Sequence, residues 1–227
     1  MEIDIQLRPG SSAAKVSLVA GETLTAEAGS MIAMSGDMRL STTTHKKQSG
    51  GVWKAIKRMV SGESFFMNHY EPGQNGGEVF LSTTLPGDMF VHELKGEGII
   101  VQGGSYVASS HDVDVDFNWQ GFKSMFSGEG LFWLNLNGRG KVICNAFGEI
   151  YPIEVDGEYI VDTGHIVAFQ ETLNFKISKA GGSWITSFVG GEGFVCKFEG
   201  KGTVWCQSHN PSSFGHAIGP KLRPRRK

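Results

Sequence analysis

The sequence predicts an all-β protein made of three copies of one repeat, packed around a pseudo-threefold axis, with short helical insertions. Three observations lead to this prediction: landmarks that recur three times, glycines spread along the whole chain, and apolar residues that alternate at the period of a β-strand. Glycine supplies 32 of the 227 residues, about twice its ordinary share of ~7%. Because only 7 prolines accompany the glycines, tight turns between short strands explain this composition better than disorder does.

The recurring landmarks are an opening Gly-Glu pair, a tryptophan and a second Gly-Glu pair. The opening pairs are Gly21-Glu22, Gly96-Glu97 and Gly157-Glu158, the tryptophans are Trp53, Trp119 and Trp184, and the second pairs are Gly62-Glu63, Gly128-Glu129 and Gly191-Glu192. The order is the same in every copy, which is typical of an internal repeat. We therefore predict one domain over residues 1–214, with repeats at 18–93, 94–154 and 155–211. A basic tail, residues 215–227, is expected to be mobile.

Two apolar runs close each repeat, and short glycine-bearing segments separate them in the last two copies. These segments are Asn137-Gly-Arg-Gly and Glu199-Gly-Lys-Gly. Such a connection between alternating strands predicts a hairpin at each place.

Alternation in the first of these runs predicts which face is core. Two and four residues past the second glutamate stand Phe65 and Met67, Leu131 and Trp133, and Phe194 and Cys196. All six are apolar, and a period of two puts each pair on one face of a strand. We expect Phe65, Leu131 and Phe194 at matching buried positions.

The pattern of Gly-Glu followed by Gly-Ser or Gly-His, and of Trp followed by Gly-Glu-Gly, runs from about Leu18 to Pro211. It resembles the family related to the yeast altered-inheritance-of-mitochondria protein. That family is grouped with the tryptophan-RNA-binding attenuator protein, so the resemblance implies a TRAP-like fold, a short double-stranded β-helix arranged as a trimer of repeats. Through the yeast member it also implies a role in organising complexes of the mitochondrial inner membrane. The tryptophan pocket and RNA-binding bases of the attenuator protein do not map onto residues here.

Motifs for catalysis are absent from the sequence. It contains no G-x-S-x-G, P-loop, G-x-G-x-x-G or H-E-x-x-H pattern, which removes the usual sequence signs of a hydrolase, nucleotide or zinc site. Cys144 and Cys206 occupy matching strand positions, which favours small buried side chains over nucleophiles. We therefore predict a protein that is not an enzyme and binds no cofactor.

Three patterns raise the question of a metal site, with a metal-dependent enzyme as the third functional hypothesis. His69-Tyr-Glu71 is the nearest match to a pair of ligands on one strand. Asp112, Asp114 and Asp116 share one strand face and could attract a hard cation. Threefold packing would also bring equivalent glutamates together, namely Glu22, Glu97 and Glu158, and likewise Glu63, Glu129 and Glu192. A loop histidine, a solvated strand face and polar turn residues are the simpler interpretations, and we predict no metal ligand.

The first insertion changes from strand to helical periodicity. Val52, Ile56, Met59 and Val60 line one face of a helix, while the basic residues lie elsewhere. Such a segment either caps the β core or projects an apolar, basic surface toward a protein partner or an anionic membrane. Together with the matching stretch of the second repeat, it predicts an interaction surface formed by Trp53, Ile56, Lys57, Arg58, Trp119 and Phe122.

Charge and composition narrow the choice of partner. The net charge of −2 argues against a protein that binds nucleic acid over its whole surface, and leaves only weak, salt-sensitive binding by the basic tail. No signal peptide or 18-residue apolar run is found, and three cysteines do not form a disulfide framework, so we expect a cytoplasmic protein. The leading functional hypothesis is a non-catalytic interaction or scaffold module that binds a protein partner or itself. The alternative is a small-ligand or RNA-binding protein, by analogy with the attenuator fold.

Overall fold

The computed structural model describes residues 1–44, 66–116, 132–179 and 194–223. These residues form a predominantly β structure, so the all-β class is confirmed. The strands are β1 (Glu2–Gln6), β2 (Ala13–Leu18), β3 (Leu24–Glu27), β4 (Met31–Met34), β5 (Arg39–Thr44), β6 (Phe66–Glu71), β7 (Gly77–Leu81), β8 (Met89–Lys95), β9 (Ile99–Gln102), β10 (Tyr106–Ser110), β11 (Val113–Asp116), β12 (Trp133–Asn145), β13 (Ile150–Asp162), β14 (Ile166–Gln170), β15 (Asn174–Lys179) and β16 (Phe194–Gln207).

One short α-helix, α1 (Pro211–Ile218), follows the last strand, and single 3₁₀ turns occur at Gly103–Ser105, Thr163–His165 and Gly219–Lys221. No helix in the described ranges is long and apolar enough to span a membrane. Helix α1 begins at Asn210, whose side chain accepts hydrogen bonds from the backbone amides of Ser212 and Ser213. The predicted end of the domain at residue 214 therefore falls inside a helix, because alternation and charge counts do not detect this cap.

The strands form two sheets that separate part of the first predicted repeat from the rest. A four-stranded sheet has the order β1-β2-β7-β4. A twelve-stranded sheet has the order β13-β16-β14-β9-β12-β10-β3-β6-β5, with β11 and β8 on β12 and β15 on β16. Below, the predicted repeats at 18–93, 94–154 and 155–211 are called the first, second and third segments.

The two predicted hairpins are wrong. β12 continues through Asn137-Gly-Arg-Gly and β16 continues through Glu199-Gly-Lys-Gly without reversing direction. Each long strand instead changes partners there: the first half of β12 pairs with β9 and β11, and the second half with β10 and β8. Gly138 and Gly140 have φ angles of 117° and 143°, which only glycine adopts readily. The glycines therefore bend a continuous strand.

Each segment contains a first and a second strand whose partners correspond from segment to segment. In the first segment β3 pairs with β6, and β4 pairs with β7. In the second, β9 and β10 pair with the two halves of β12, and in the third, the end of β13 and then β14 pair with the two halves of β16. The second strand of each set has a register shift at its start, at Met31/Ala33, Tyr106/Ala108 and Ile166/Ala168. This recurrence aligns the three segments residue by residue.

The same register also joins consecutive segments. β3 pairs with β10 through Ala26↔Ala108, Thr25↔Ser109 and Leu24↔Ser110. β9 pairs with β14 through Val101↔Ala168, Ile100↔Phe169 and Ile99↔Gln170. We call these two strand pairs, β3 with β10 and β9 with β14, junctions. In both junctions the first strand of one segment lies antiparallel to the second strand of the following segment.

Buried apolar side chains follow these junctions from one segment to the next. Val107, Ala108 and Ile143 of the second segment belong to the cluster that holds Leu24 and Tyr70 of the first. Because one buried cluster holds residues of both segments, the junction between them is part of the core. Burial contributes roughly 25 cal/mol per Å² of apolar surface.

The predicted core face is confirmed for the second residue of each pair but not for the burial of Phe194, and it includes one change of register. Met67, Trp133 and Cys196 are buried. Gln102 pairs with Trp133, however, whereas the matching Asp162 pairs with Val195, so Cys196 lies one position beyond the residue that matches Trp133. Phe194 is half-buried, and Phe65 and Leu131 lie outside the described residues.

Candidate functional site at two open sheet edges

The six residues predicted to form an interaction surface, Trp53, Ile56, Lys57, Arg58, Trp119 and Phe122, lie outside the described residues. The described part of the chain carries a different apolar surface. It consists of two strand edges, the outer edge of β4 and the outer edge of residues 157–161 in β13, which we call the β4 edge and the β13 edge.

The β4 edge is an apolar strand with one partner. β4 is the last strand of its sheet and pairs only with β7 in the part of the chain that the structure describes. Its sequence, Met31-Ile-Ala-Met34, carries no charge, and Ile32 is 58% exposed and Met34 37% exposed. Soluble proteins normally protect edge strands with charges, prolines, short strand length or bulges that twist the edge away. The β4 edge is short and has a register shift at Met31/Ala33, but it carries no charge and no proline.

A tight turn sets the direction of β4. Gly29 has a φ of 94°, and the hydroxyl of Ser30 donates a hydrogen bond of 2.7 Å to the carbonyl of Glu27. This turn reverses the chain between β3 and β4. It allows β3 to pair with β10 while β4 lies at the end of the other sheet.

The β13 edge is the matching strand of the third segment. β13 pairs with β16 along its whole length, and no strand in the described ranges pairs with the opposite side of residues 157–161. Tyr159 is 46% exposed and Ile160 57% exposed, whereas Val161 is buried. At the end of the strand, the Asp162 carboxylate accepts a hydrogen bond of 2.7 Å from the Gly164 amide, which starts the turn into β14.

Comparison with the two formed junctions shows what these edges lack. The residues that match the exposed ones are Val107 and Val167 for Ile32, Ser109 and Phe169 for Met34, Leu24 and Ile99 for Tyr159, and Thr25 and Ile100 for Ile160. All of them are at most 1% exposed except Thr25, which is half-buried. The two edges thus carry the residues that match the two sides of the formed junctions, and among the described residues they are not paired with each other.

The β13 edge contains one charged residue, Glu158, which is paired with a residue of the neighbouring strand β16. The ammonium of Lys197 contacts Glu158 at 2.7 Å and Glu199 at 2.9 Å. These hydrogen bonds raise the pKa of Lys197 and lower the pKa of Glu199. The charges are thus satisfied locally, and the apolar side chains of Tyr159 and Ile160 remain free to contact another surface.

The residues considered for metal binding have other contacts. Nδ1 of His69 lies 3.0 Å from the Thr25 hydroxyl, and Nε2 lies 2.7 Å from the Thr43 hydroxyl, so both ring nitrogens are engaged. No group of three or more His, Cys, Asp or Glu side chains within the described ranges is arranged to hold a metal ion. Asp112 lies in the turn before β11, apart from Asp114 and Asp116 on the strand.

The opening glutamates have local roles. Glu22 contacts the N-terminal ammonium and accepts a hydrogen bond of 3.0 Å from the Val19 amide. Glu97 accepts one of 3.3 Å from the Lys95 amide. Both contacts support the interpretation of polar turn residues. The second set, Glu63, Glu129 and Glu192, lies outside the described residues.

Comparison with known proteins assigns the family. A sequence model described as "Mitochondrial biogenesis AIM24" matches residues 4–209. The chain belongs to the AIM24 family. An uncharacterised protein of Streptococcus pyogenes serotype M6 is similar, with 30% identity over 210 residues that cover 90% of this chain and 84% of the relative. The crystal structure of a second Streptococcus pyogenes protein superposes with a TM-score of 0.81 at 27% identity, covering 97% of this chain and 99% of the other. The family resemblance noted from the sequence is thereby confirmed.

The open edges of this AIM24 protein were not found from its sequence. Met31-Ile-Ala-Met34 aligns with Tyr106-Val-Ala-Ser109 and Ile166-Val-Ala-Phe169, which are buried. Apolar residues at four successive positions are the available signal. The alignment alone does not indicate which copies of the strand find a partner within the chain.

Proposed function

We propose that this protein is a non-catalytic interaction or scaffold module that binds another protein chain through its open sheet edges. The single observation that carries the proposal is the exposure of Ile32, Met34, Tyr159 and Ile160, at positions whose counterparts in the two formed junctions are buried, apart from the half-buried Thr25. An added strand would satisfy the free backbone groups of the edge and cover its apolar side chains, which is the usual mechanism of β-strand addition. The insertion surface around Trp53 and Ile56 remains a second, sequence-based prediction for the same function.

A cytoplasmic location is part of this proposal. Cys144, Cys196 and Cys206 are free thiols, and unpaired cysteines accord with a reducing compartment.

The finer fold prediction also remains a proposal. The common register of the two junctions supports a TRAP-like arrangement of three units. A complete pseudo-threefold ring would also need the third junction, between β4 and β13. Within one chain that junction is not formed among the described residues, so its strands must find partners elsewhere for the arrangement to be complete.

Site-specific photo-crosslinking in cells tests the function. A photoreactive amino acid is placed at Ile32 or at Ile160, and at Val19 as the control. Val19 is an apolar loop residue that is 64% exposed, similar to the two edge residues but away from both edges. We expect covalent protein adducts from Ile32 and Ile160 and few from Val19. Equal yields at all three positions, or no protein adduct from either edge, would contradict the proposed function.

A further inference from the structure

The two open edges are complementary to each other. We infer that the β4 edge of one chain pairs with the β13 edge of a second copy of the same chain, antiparallel and in head-to-tail order. In this junction Ala33 pairs with Val161, Met34 with Ile160, and Ser35 with Tyr159. The inference rests on the proposed function and names its partner.

The register follows from the two junctions within the chain. Counting from the register shift, Ala33 matches Ala108 and Ala168, and Val161 matches Ala26 and Val101. The formed pairs at this position are Ala26↔Ala108 and Val101↔Ala168. An Ala33↔Val161 pair would therefore repeat the second of them with the same two residue types.

The next two positions are also chemically compatible. Ile100 pairs with Phe169 in the formed junction, and Ile160 with Met34 would again place two large apolar side chains together. Ile99 pairs with Gln170, so Tyr159 with Ser35 would again join a large side chain to a polar one. No charged residue occurs at these positions, and cross-strand pairs of this kind stabilise a sheet.

The order of the strands distinguishes head-to-tail pairing from a symmetric dimer. Both formed junctions join the first strand of one segment to the second strand of the next. Neither joins two first strands or two second strands. β4 lies at the end of the four-stranded sheet, whereas β13 lies at the end of the twelve-stranded sheet. Each chain therefore offers two different ends, and such heterologous contacts form rings or open chains of subunits.

Engineered cysteines test the pairing directly. The natural Cys144, Cys196 and Cys206 are buried, so they interfere little with surface cysteines. Opposite residues in an antiparallel pair have Cα atoms about 4.5–5.5 Å apart, within the range that a disulfide spans. Protein carrying Met34→Cys is mixed with protein carrying Ile160→Cys under mild oxidation, and Val19→Cys with Ile160→Cys is the matched control.

We expect a disulfide-linked heterodimer from the first mixture, at least tenfold above the control mixture. A chain with both Met34→Cys and Ile160→Cys should form a ladder of linked copies. A cross-link within one chain, which leaves the mass of a monomer, would overturn the inference because it would show that the junction closes internally. Yields equal to the control would overturn it as well.

Charge substitutions give an independent test by analytical ultracentrifugation. Met34→Lys blocks the β4 edge and Ile160→Lys blocks the β13 edge, so each variant alone should sediment as a monomer under conditions in which the wild type associates. Mixed together, they retain one intact edge of each kind and should form a dimer and nothing larger. Val19→Lys should associate like the wild type. Thermal melts are used to check that each variant is folded.

The outcomes separate this inference from the proposed function. A wild-type protein that is monomeric at every concentration, with photo-crosslinks from Ile32 and Ile160 to a different protein, would overturn self-pairing and leave the function intact. Homodimers linked through Met34→Cys alone, at the yield of the mixture, would overturn the head-to-tail order. Photo-crosslinks from neither edge would overturn both.

Discussion

Glu27 is a carboxylic acid whose ionisation is strongly affected by the fold. It ends β3 at the junction between the first and second segments and is half-buried. Burial raises the pKa of its carboxyl group from 4.5 to about 7, because removing a carboxylate from water disfavours the charged form. Below about pH 7 the protonated side chain is therefore the main form in the folded protein.

This shift predicts a pH-dependent loss of stability. Because the folded pKa lies above the unfolded one, the stability that Glu27 contributes is fully present below about pH 4.5 and is lost as the pH rises through about 7. Glu27→Gln should remove this dependence. Relative to the wild type, the variant should gain about 3 kcal/mol between pH 4 and pH 8, since one pKa unit corresponds to about 1.4 kcal/mol. Urea denaturation at the two pH values measures the gain, and an identical difference between the two proteins at both values would contradict the assignment.

At the scale of the element, β12 and β16 show how one long strand changes partners along its length. Gly138 in β12 and Gly200 in β16 occupy matching positions, with φ angles of 117° and 121°. They differ in their surroundings. A Cβ atom on Gly138 would lie 2.3 Å from the backbone oxygen of Asp112, whereas one on Gly200 would meet Thr172 O at 3.7 Å, an ordinary contact.

Substituting each glycine separately distinguishes the cost of the backbone φ angle from the cost of the steric contact with Asp112. Gly200→Ala should cost about 1–2 kcal/mol, the usual cost of a left-handed backbone for an L-residue. Gly138→Ala carries the same cost and also pushes against a backbone atom, so its loss should exceed that of Gly200→Ala by at least ~1 kcal/mol. Thermal or urea unfolding measures both, and equal losses would show that the strand shifts freely away from Asp112.

The hairpin error and the core-face success have a common origin. Alternation reports which side chains are buried, and it correctly identified Met67, Trp133 and Cys196. It does not report whether glycines turn the chain back or bend it forward, because both conformations use the same residue types. That choice depends on the partners on each side of the strand, such as β9 and β10 on β12. These partners are distant in sequence.

The candidate site was hidden for a related reason. The alignment makes Ile32, Val107 and Val167 equivalent, and only the assembled structure shows that Ile32 alone of the three is exposed. A repeat pattern predicts how adjacent copies contact one another. The first and last copies each have one strand, β4 and β13, without a neighbouring copy beside it among the described residues. The sequence of a repeat contains no signal for the partner of such a strand.

At the scale of the whole molecule, the C-terminal helix packs only loosely against the β structure. None of its residues is buried, and the ring of Phe214 contacts that of Phe147, with ring centroids 5.2 Å apart. Basic residues follow the helix in the sequence. The stability of the domain should therefore depend little on the last residues of the chain.

Two truncations test this expectation. Removal of residues 221–227 should leave the melting temperature within about 2 °C of the wild type, because surface changes of this kind usually alter stability by less than ~0.5 kcal/mol. Removal of residues 211–227 also deletes the Phe214–Phe147 contact, worth about 0.5–1.5 kcal/mol beyond its buried area, and should lower the melting temperature measurably. Differential scanning calorimetry compares the two. A large drop for the shorter truncation would show that the basic end packs on the domain.

The reactivity of the three buried thiols reports local unfolding of the protein. Burial raises the pKa of Cys144, and it raises the pKa of Cys196 and of Cys206 to about 12, so in the closed state almost no thiolate is present to react. Alkylation must then wait for a strand to separate from its neighbours. Cys144 lies on β12, and Cys196 and Cys206 lie on opposite halves of β16. The order in which an alkylating reagent marks them would therefore reveal which part of the core loosens first.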